Sequence, residues 1–343
     1  MNKIYKIIWS KVKNCYVVVS EITKNNRKGT TVKSGKAAAV LAAMLLIHGA
    51  FIQPAEAAGE VVWAPAASTA TAASNENAAH GLGATATGGS SLAWGTNTKA
   101  TGTNSVAVGD YSVAGGNYAV ALGNSAKAMG QQSFAVNNGT VAASTRNGIA
   151  MGQHAEVTGN HSVAISTEDE ADPGKTLASG ISSIAFGNQA IASGNYAVSI
   201  GKQTEASGDR SIALGYDNTA SGIMSAAMGS GTKATGDRAT TMGKETKASG
   251  DTATAMGWFT LASGNYSTAM GYQSQALAEN SLAASGATTE TAATNAFAVG
   301  SGAKASLADS VALGSASVAN TASGAKGYDP ATKAATTETG AAW

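Results

Sequence analysis

Cysteine, proline, aromatic and charged residues are all scarce in this chain of 343 residues. It contains one Cys and four Pro, and aromatic and charged residues make up 6% and 13% of it. No stretch of about 18 uninterrupted apolar residues occurs, which excludes an ordinary transmembrane helix. Glycine is abundant, with 42 residues, but it does not recur at every third position, which excludes collagen. The composition fits neither a nucleic-acid-binding protein nor an average globular domain.

The first 57 residues have the order of a secretory signal. Residues 1–36 contain nine Lys or Arg and one acid, Glu21, and an apolar run at 37–52 leads into Ala55-Glu56-Ala57. A basic region, an apolar region and a site with two small residues, in this order, predict export with cleavage between Ala57 and Ala58. A buried N-terminal helix is the disfavoured alternative.

Cleavage at this site changes the chemistry of the chain. It removes Cys15 and leaves 13 basic and 19 acidic residues, so the exported chain has a net charge of about −6 and no disulfide. The signal is about twice the usual length. Its opening, Met-Asn-Lys-Ile-Tyr-Lys-Ile-Ile-Trp-Ser, resembles the extended signal region of large autotransporter and two-partner-secreted proteins. That resemblance implies slowed or redirected export across the inner membrane.

An internal repeat dominates the rest of the chain. A pentad of the form small-apolar-Ala-apolar-Gly recurs 16 times between residues 91 and 314, and 12 of the 15 spacings are 14 residues. Such a fixed period is typical of a solenoid. The residues that best display the pattern are Val106, Ala107, Val108, Gly109, Leu122, Gly123, Ile184, Phe186, Gly187, Ile212, Ala213, Leu214 and Gly215.

Each 14-residue unit divides into two short strands. In the pentad strand, alternation places the Ala on one face and the flanking apolar pair on the other. Seven residues later a second strand carries an inward Ala beside outward residues such as Lys99, Lys127, Glu156, Glu205, Lys233, Lys247 and Lys304. The turns between the strands read Gly-Asn-Tyr or Gly-Asp-Arg, in which we expect Gly and Asn or Asp to adopt positive φ. Sixteen coils stacked about 4.8 Å apart would be roughly 75 Å long.

The pentad strand predicts self-association. Both of its faces are small or apolar, and a strand uncharged on both faces is normally covered on both. The second strand of the coil can cover one face, so the other requires an identical chain. The sequence leaves open whether the Ala row or the paired Val and Leu row meets the sister chains, although small side chains favour the Ala row for close approach at an axis.

The repeats resemble a known family. Ser-Val-Ala-Val-Gly at 105–109, Tyr-Ala-Val-Ala-Leu-Gly at 118–123 and Ser-Ile-Ala-Leu-Gly at 211–215 look like the head repeats of YadA-like trimeric autotransporter adhesins. The resemblance implies an all-β, left-handed parallel β-roll solenoid with 14-residue coils, assembled as a homotrimer. It also implies display on the outer membrane of a Gram-negative-type bacterium, with attachment to host matrix molecules such as collagen, to host cell surfaces or to other bacteria.

Four segments follow from these patterns. They are an extended signal at 1–57, a low-complexity segment at 58–90 that we expect to be flexible or to form degenerate first coils, about 16 head coils at 91–322, and the start of another module at 323–343. The family's stalk and membrane-anchor strands are missing from the sequence, and sustained heptads are absent. We therefore expect a piece of a longer gene product, attached to the membrane only through an anchor outside it.

The weak candidates for ligand binding lie in one loop and one row of turns. An insertion at 167–177 contains Glu168, Asp169, Glu170 and Asp172, which lack the spacing of an EF-hand calcium loop and favour a solvated loop that projects from the roll. Exposed tyrosines at turns could serve as contact anchors, although packing over the turn is the favoured interpretation: Tyr111, Tyr118, Tyr196, Tyr266 and Tyr272. His154 and His161 are interpreted as surface turn residues.

We expect no catalysis, cofactor, metal or nucleic-acid partner. The alternative is a trimeric left-handed β-helix acyltransferase, which the 14-residue coil, the export signal and the lack of a candidate catalytic His disfavour. A calcium-binding nonapeptide-repeat toxin would need Gly-Gly-x-Gly-x-Asp runs that do not occur. The row Met228, Met242, Met256 and Met270 could hold a soft metal, but adaptable packing in a narrowed core is the favoured interpretation.

Overall fold

Two units make up the chain, Met1–Phe51 and Ile52–Trp343. The structure, a computed structural model, describes residues 5–10, 15–20, 50–51, 61–65, 70–73, 76–167, 174–322, 328–329 and 334–335. In the first unit, Tyr5–Ser10 pairs antiparallel with Cys15–Ser20, and Ala50–Phe51 is a further strand. In the second unit, a short antiparallel pair joins Tyr328–Asp329 to Ala334–Ala335.

The repeats of the second unit form an all-β parallel solenoid of about 17 turns, which confirms the all-β parallel solenoid expected from the period. Each turn contributes one strand to each of two parallel sheets. The strands of the first sheet are Val61–Pro65, Ala78–His80, Leu92–Trp94, Val106–Val108, Val120–Leu122, Phe134–Val136, Ile149–Met151, Val163–Ser166, Ile184–Gly187, Val198–Lys202, Ile212–Tyr216, Ala226–Ser230, Thr240–Lys244, Thr254–Trp258, Thr268–Tyr272, Leu282–Ala284, Phe297–Val299 and Val311–Leu313.

The second sheet contains shorter strands, mostly of two residues. They are Thr71–Ala72, Thr85–Ala86, Lys99–Ala100, Val113–Ala114, Lys127–Ala128, Thr140–Val141, Ala155–Val157, Thr176–Ala178, Ile191–Ala192, Glu205–Ala206, Thr219–Ala220, Lys233–Ala234, Lys247–Ala248, Leu261–Ala262, Gln275–Ala276, Thr288–Thr289, Lys304–Ala305 and Val318–Ala319. The described ranges contain no helix, and hence none that is long and apolar enough to cross a membrane.

Pairing is in register at the repeat period. Val106, Ala107 and Val108 pair with Val120, Ala121 and Leu122, so equivalent positions of successive coils stack in columns. The insertion after Ser166 leaves this register intact, because Val163 still pairs with Ile184, 21 residues later. The first coils begin within 58–90, where Ala78–His80 pairs with Leu92–Trp94 and Thr85–Ala86 with Lys99–Ala100.

Alanine fills the space between the two sheets. Ala107 and Ala114, from the two strands of one coil, are both 0% exposed, and the buried apolar cluster consists of alanines apart from Val141 and Val157. These two valines pair with each other across two neighbouring coils. They fit there because Gly148 stands where most coils carry Ser or Ala, and a Cβ at that position would collide with the Val141 side chain.

Small polar residues line the inner corners of the roll and bond to the backbone. The Ser133 hydroxyl donates to the Gly130 carbonyl at 2.6 Å, and the Thr98 hydroxyl donates to the Gly109 carbonyl at 2.7 Å. Ser199, which replaces Ala in its row, is 0% exposed and donates to the Thr204 carbonyl at 2.8 Å. These three hydroxyls are satisfied by a backbone carbonyl, whereas others in equivalent places, such as those of Ser105 and Ser211, have no partner in the structure.

Glycine is required for different reasons in the row of Gly109 and in the row of Gly116. The expectation about which turn residues adopt positive φ is wrong. Gly109 has φ of 116°, a region that favours glycine. Gly116, whose φ is not positive, belongs to a row that recurs because of limited space: a Cβ there would collide with the Gly130 carbonyl of the next coil. In Gly116-Asn117-Tyr118 the residue with positive φ is Tyr118, at 59°, and neither Gly116 nor Asn117 adopts it.

Candidate functional site

The first sheet has an outward face that is apolar over most of its length. Val106 and Val108 point outward and are half-buried, whereas Ala107 between them is sealed inside the roll. We call the outward row the apolar face; it consists of Leu92, Trp94, Val106, Val108, Val120, Leu122, Phe134, Val136, Ile149, Met151, Val163, Ile165, Ile184, Phe186, Val198, Ile200, Ile212, Leu214, Met228, Met242, Met256, Met270, Leu282, Phe297, Val299, Val311 and Leu313.

This arrangement decides which row of the pentad strand is free to meet another chain. Ala213 is 0% exposed, while its neighbour Ile212 is 39% exposed, and Ile184 and Phe186 are each 41% exposed. The preference for the Ala row at an axis is therefore wrong, because the second strand of each coil already covers that row. The apolar face is roughly 75 Å long and about 10 Å wide. Its area therefore exceeds that of the largest exposed apolar patch on a typical monomer.

The outward face of the second sheet is mixed: it carries many charged and polar residues, with Val113, Leu177, Ile191 and Leu261 in the same row. Lys99, Lys127, Glu205, Lys233 and Lys247 are exposed beside buried alanines. Ion pairs join neighbouring coils on this face: Lys175 Nζ lies 2.6 Å from Glu156 Oε2, and Lys304 pairs with Glu290. The hydrogen bond from Lys304 holds the pKa of the Glu290 carboxyl below its usual value. This face is suited to contact with water and with polar surfaces.

The turns that precede the first sheet are tied together by Asn and Asp side chains. The Asn195 Oδ1 accepts the N–H of Ile181 at 3.0 Å, and the Asp209 Oδ1 accepts the N–H of Asn195 at 3.0 Å. Further links of the same kind join Ile223 to Asp237 and Asp251 to Asn265. Each side chain thus bonds to the coil before it, which explains Asn and Asp at a position where φ is not positive.

The tyrosines that the sequence places at turns are exposed to solvent. Tyr118, Tyr196 and Tyr266 are 54–60% exposed and adopt positive φ, and Tyr111 does the same at the other row of turns. Tyr272 lies at the end of a first-sheet strand and is 52% exposed. Arg210 lies 5.8 Å from the Tyr196 ring centroid. These tyrosines do not pack down over their turns.

Other candidate residues fall into two groups. His154 and His161 are exposed turn residues with positive φ, and His80 contacts Trp94 with ring centroids 4.6 Å apart. Within the described ranges, no group of three or more His, Cys, Asp or Glu side chains could hold a metal ion. Glu168, Asp169, Glu170 and Asp172, and the cleavage residues Ala57 and Ala58, lie outside the described residues.

The methionine row does not pack in the core, so that interpretation is wrong. Met228, Met242, Met256 and Met270 pair in register on the apolar face, because they stand two residues after an outward position and alternation keeps them outward. Met242 is 45% exposed. Two residues before each methionine, where most other coils carry Val or Ile, the outward side chain is smaller: Ala226, Thr240, Thr254 and Thr268. The flexible methionines occupy the place that Val and Leu hold elsewhere.

An aromatic cluster lies at one edge of the first sheet, and sequence reasoning missed it. Trp258, Phe259 and Tyr272 are each 42–52% exposed. The Trp258 ring centroid lies 5.4 Å from that of Phe259 and 5.3 Å from that of Tyr272, and Lys244 Nζ lies 5.6 Å from it. The signal was present at the residue after the pentad glycine, which reads Lys202, Tyr216, Ser230, Lys244, Trp258 and Tyr272 in successive coils.

Family models match two regions of the chain. Residues 1–50 match the extended signal peptide of the type V secretion system, and repeats of the YadA head domain match between residues 86 and 317, over more than half of the chain. Among curated proteins no match was found. The two family matches confirm the resemblance and indicate export to the cell surface.

Proposed function

The chain belongs to the family of YadA-like trimeric autotransporter adhesins, and on that premise we propose that its solenoid is the head by which a bacterium attaches to other surfaces. In this proposal three copies assemble side by side as left-handed rolls at the outer membrane of a Gram-negative-type bacterium. Their targets are host matrix or cell-surface molecules, or other bacteria. The head acts by binding and carries out no reaction.

The observation that carries the proposal is the apolar face. Its two rows run through successive coils in register, for example from Ile184 and Phe186 to Val198 and Ile200. With an area on the order of 700 Å², it matches what one partner contributes to a standard protein interface. Covering it with two sister chains removes these side chains from water without any change in the roll.

The surfaces left outside such a trimer are those suited to attachment. They are the outward face of the second sheet, with its charged and polar residues, and the turns that display Tyr196, Arg210 and Tyr266. Each chain repeats similar side chains every coil, and three chains triple them. Weak contacts made by many coils at once give high avidity, because each contact after the first is intramolecular.

Bead attachment tests the proposal. Beads are coated with the chain from residue 58 onward and with its Ile212→Asp, Leu214→Asp variant, at equal mass, and applied to collagen, epithelial cells and a bacterial layer. We expect the native chain to hold beads on at least one surface, and the variant, having lost its trimer, to hold at least about tenfold fewer. Equal retention by both chains, or no retention by an intact trimer, would contradict the proposal.

A further inference from the structure

The aromatic cluster borders a hollow in the surface of the solenoid. In the column that follows the pentad glycines, the residues Lys244, Trp258 and Tyr272 are succeeded by Gly286. The column therefore loses its side chain one coil beyond Tyr272. The space left there has a volume of about 620 Å³, which is within the range of small-molecule sites.

The lining of this hollow is aromatic on one side and polar but uncharged on the other. Phe259 and Tyr272 form the aromatic side, Gln273 and Gln275 supply amide groups, and Ser301 supplies a hydroxyl next to the small residue Gly302. All of these side chains are exposed. An exposed ring beside amides and a hydroxyl is the chemistry that recognises a neutral, polyhydroxylated ring with one C–H-rich face.

Trp258 supports the ring that lines the hollow. It contacts Phe259, Tyr272 and Lys244, so Tyr272 is held against a neighbour before any ligand arrives. A ligand that stacks on a ring already held in place loses less side-chain entropy on binding. The faces of aromatic rings carry partial negative charge and attract the weakly positive C–H groups of a sugar.

The hollow lies beyond one edge of the apolar face. Gln275 belongs to the second sheet, and Phe259 and Gln273 occupy the turn between the two sheets. The hollow therefore lies at the corner of the roll. A trimer that covers the apolar face leaves this corner accessible.

From these observations we propose that Tyr272, Phe259, Gln273 and Gln275 form a binding site for a neutral pyranose of a surface glycan. The sugar ring stacks on Tyr272 and occupies the position that Gly286 leaves empty in the column. The two glutamine amides and the Ser301 hydroxyl bond its hydroxyl groups. This inference rests on the proposed attachment function and names a ligand class for it.

Saturation-transfer NMR on the chain from residue 58 onward tests the site. The probes are the methyl β-glycosides of galactose, glucose and N-acetylglucosamine, with lactose, cellobiose and chitobiose. We expect at least one probe to bind, and Tyr272→Ala to weaken its binding by roughly fivefold or more, the scale of one aromatic contact. Gln275→Ala should weaken binding as well.

A matched control is available in the same column. Tyr216 is 50% exposed against 52% for Tyr272, but the next coil carries Ser230, which has a side chain at the position where Gly286 has none. Tyr216→Ala should bind the probe as the native chain does. Failure of every probe, or equal losses in the two tyrosine variants, would overturn the glycan site. Circular dichroism on each variant shows that the solenoid is intact.

Bead attachment separates the glycan site from the wider function. If Tyr272→Ala beads still attach as native beads do, the glycan site is wrong and the attachment function stands. If attachment falls with Tyr272→Ala, enzymatic removal of glycans from the epithelial cells or from the bacterial layer identifies which of the two surfaces supplies the sugar.

Discussion

Asn218 and Thr232, 14 residues apart, join two coils through a side-chain amide that is entirely buried. The Asn218 Oδ1 accepts the Thr232 N–H at 2.9 Å and the Thr232 hydroxyl at 2.8 Å, while its Nδ2 donates to the carbonyls of Leu214 and Gly229 at 2.6 and 2.7 Å. All the bonding capacity of this amide is used, at a corner where other coils carry Thr, Ser or Ala. Buried polar groups satisfied to this degree specify register as well as stability.

Removing this amide should destabilise the solenoid. Asn218→Ala leaves the Thr232 N–H and two carbonyls without the partner described above, and we expect a loss of about 2–3 kcal/mol in the free energy of unfolding. Asn218→Thr restores the residue type found at Thr204 and Thr232 and should cost less than about 1 kcal/mol. Denaturant unfolding followed by circular dichroism measures both variants, and equal losses would contradict the role assigned to the amide.

The glycines of the turns should differ in their tolerance of a methyl group. Gly116→Ala places a Cβ against the Gly130 carbonyl, whereas a Cβ at Gly89 has only the Thr103 Cγ2 nearby, at an ordinary 3.6 Å. Neither glycine has positive φ, so the comparison isolates space from backbone strain. We expect Gly116→Ala to lower the unfolding midpoint clearly and Gly89→Ala to leave it near the native value. A Gly89→Ala variant as unstable as Gly116→Ala would show that the spacing between coils is not the reason.

The two faces of the coil should respond differently to charge. Ala213→Glu buries a carboxylate in the alanine interior, which has no partner charge among the described residues, so we expect the chain not to fold. Glu205→Lys changes an exposed residue of the second sheet and should leave the fold and the assembly intact. Expression yield and circular dichroism compare the two, and equal tolerance would refute the assignment of faces.

Charges on the apolar face should affect assembly and not the fold of the single chain. Ile212→Asp with Leu214→Asp places two carboxylates where sister chains are proposed to pack, and Lys233→Glu makes a charge change on the opposite side of the coil. We expect the double variant to remain β-rich while its mass falls to that of a monomer, and Lys233→Glu to keep the native mass. If the double variant lost β-structure but kept the native mass, Ile212 and Leu214 would have to lie inside the roll, and the assignment of the apolar face would be contradicted.

The repeat made the fold predictable because its period fixes the register. Once Ala107 and Ala121 are known to be equivalent, parallel in-register stacking follows, and so does the outward position of Lys127. The details that were mispredicted depend on contacts between coils that a single repeat does not display. Asn117 is at its turn to bond the preceding coil, where Asn117 Oδ1 accepts the Thr103 N–H at 3.1 Å, and not to adopt positive φ.

The surfaces were harder to predict than the core. The sequence did not show whether the Ala row or the Val row of the pentad strand is buried inside the roll, because both rows are apolar. Only the position of the second strand against the first decides this. The cluster around Trp258 depends on a column that crosses coils, so it is visible only when residues 14 apart are compared. Tyr272 was assigned to a row of turns that it does not share.

Solution mass is the decisive test of self-association through the apolar face. Light scattering behind a sizing column, with circular dichroism on the same peak, measures mass and β-content for the chain from residue 58 onward. We expect a β-rich species with three times the mass of the chain. A folded, β-rich monomer would contradict this expectation, because the apolar face would then be stable in water without a sister chain.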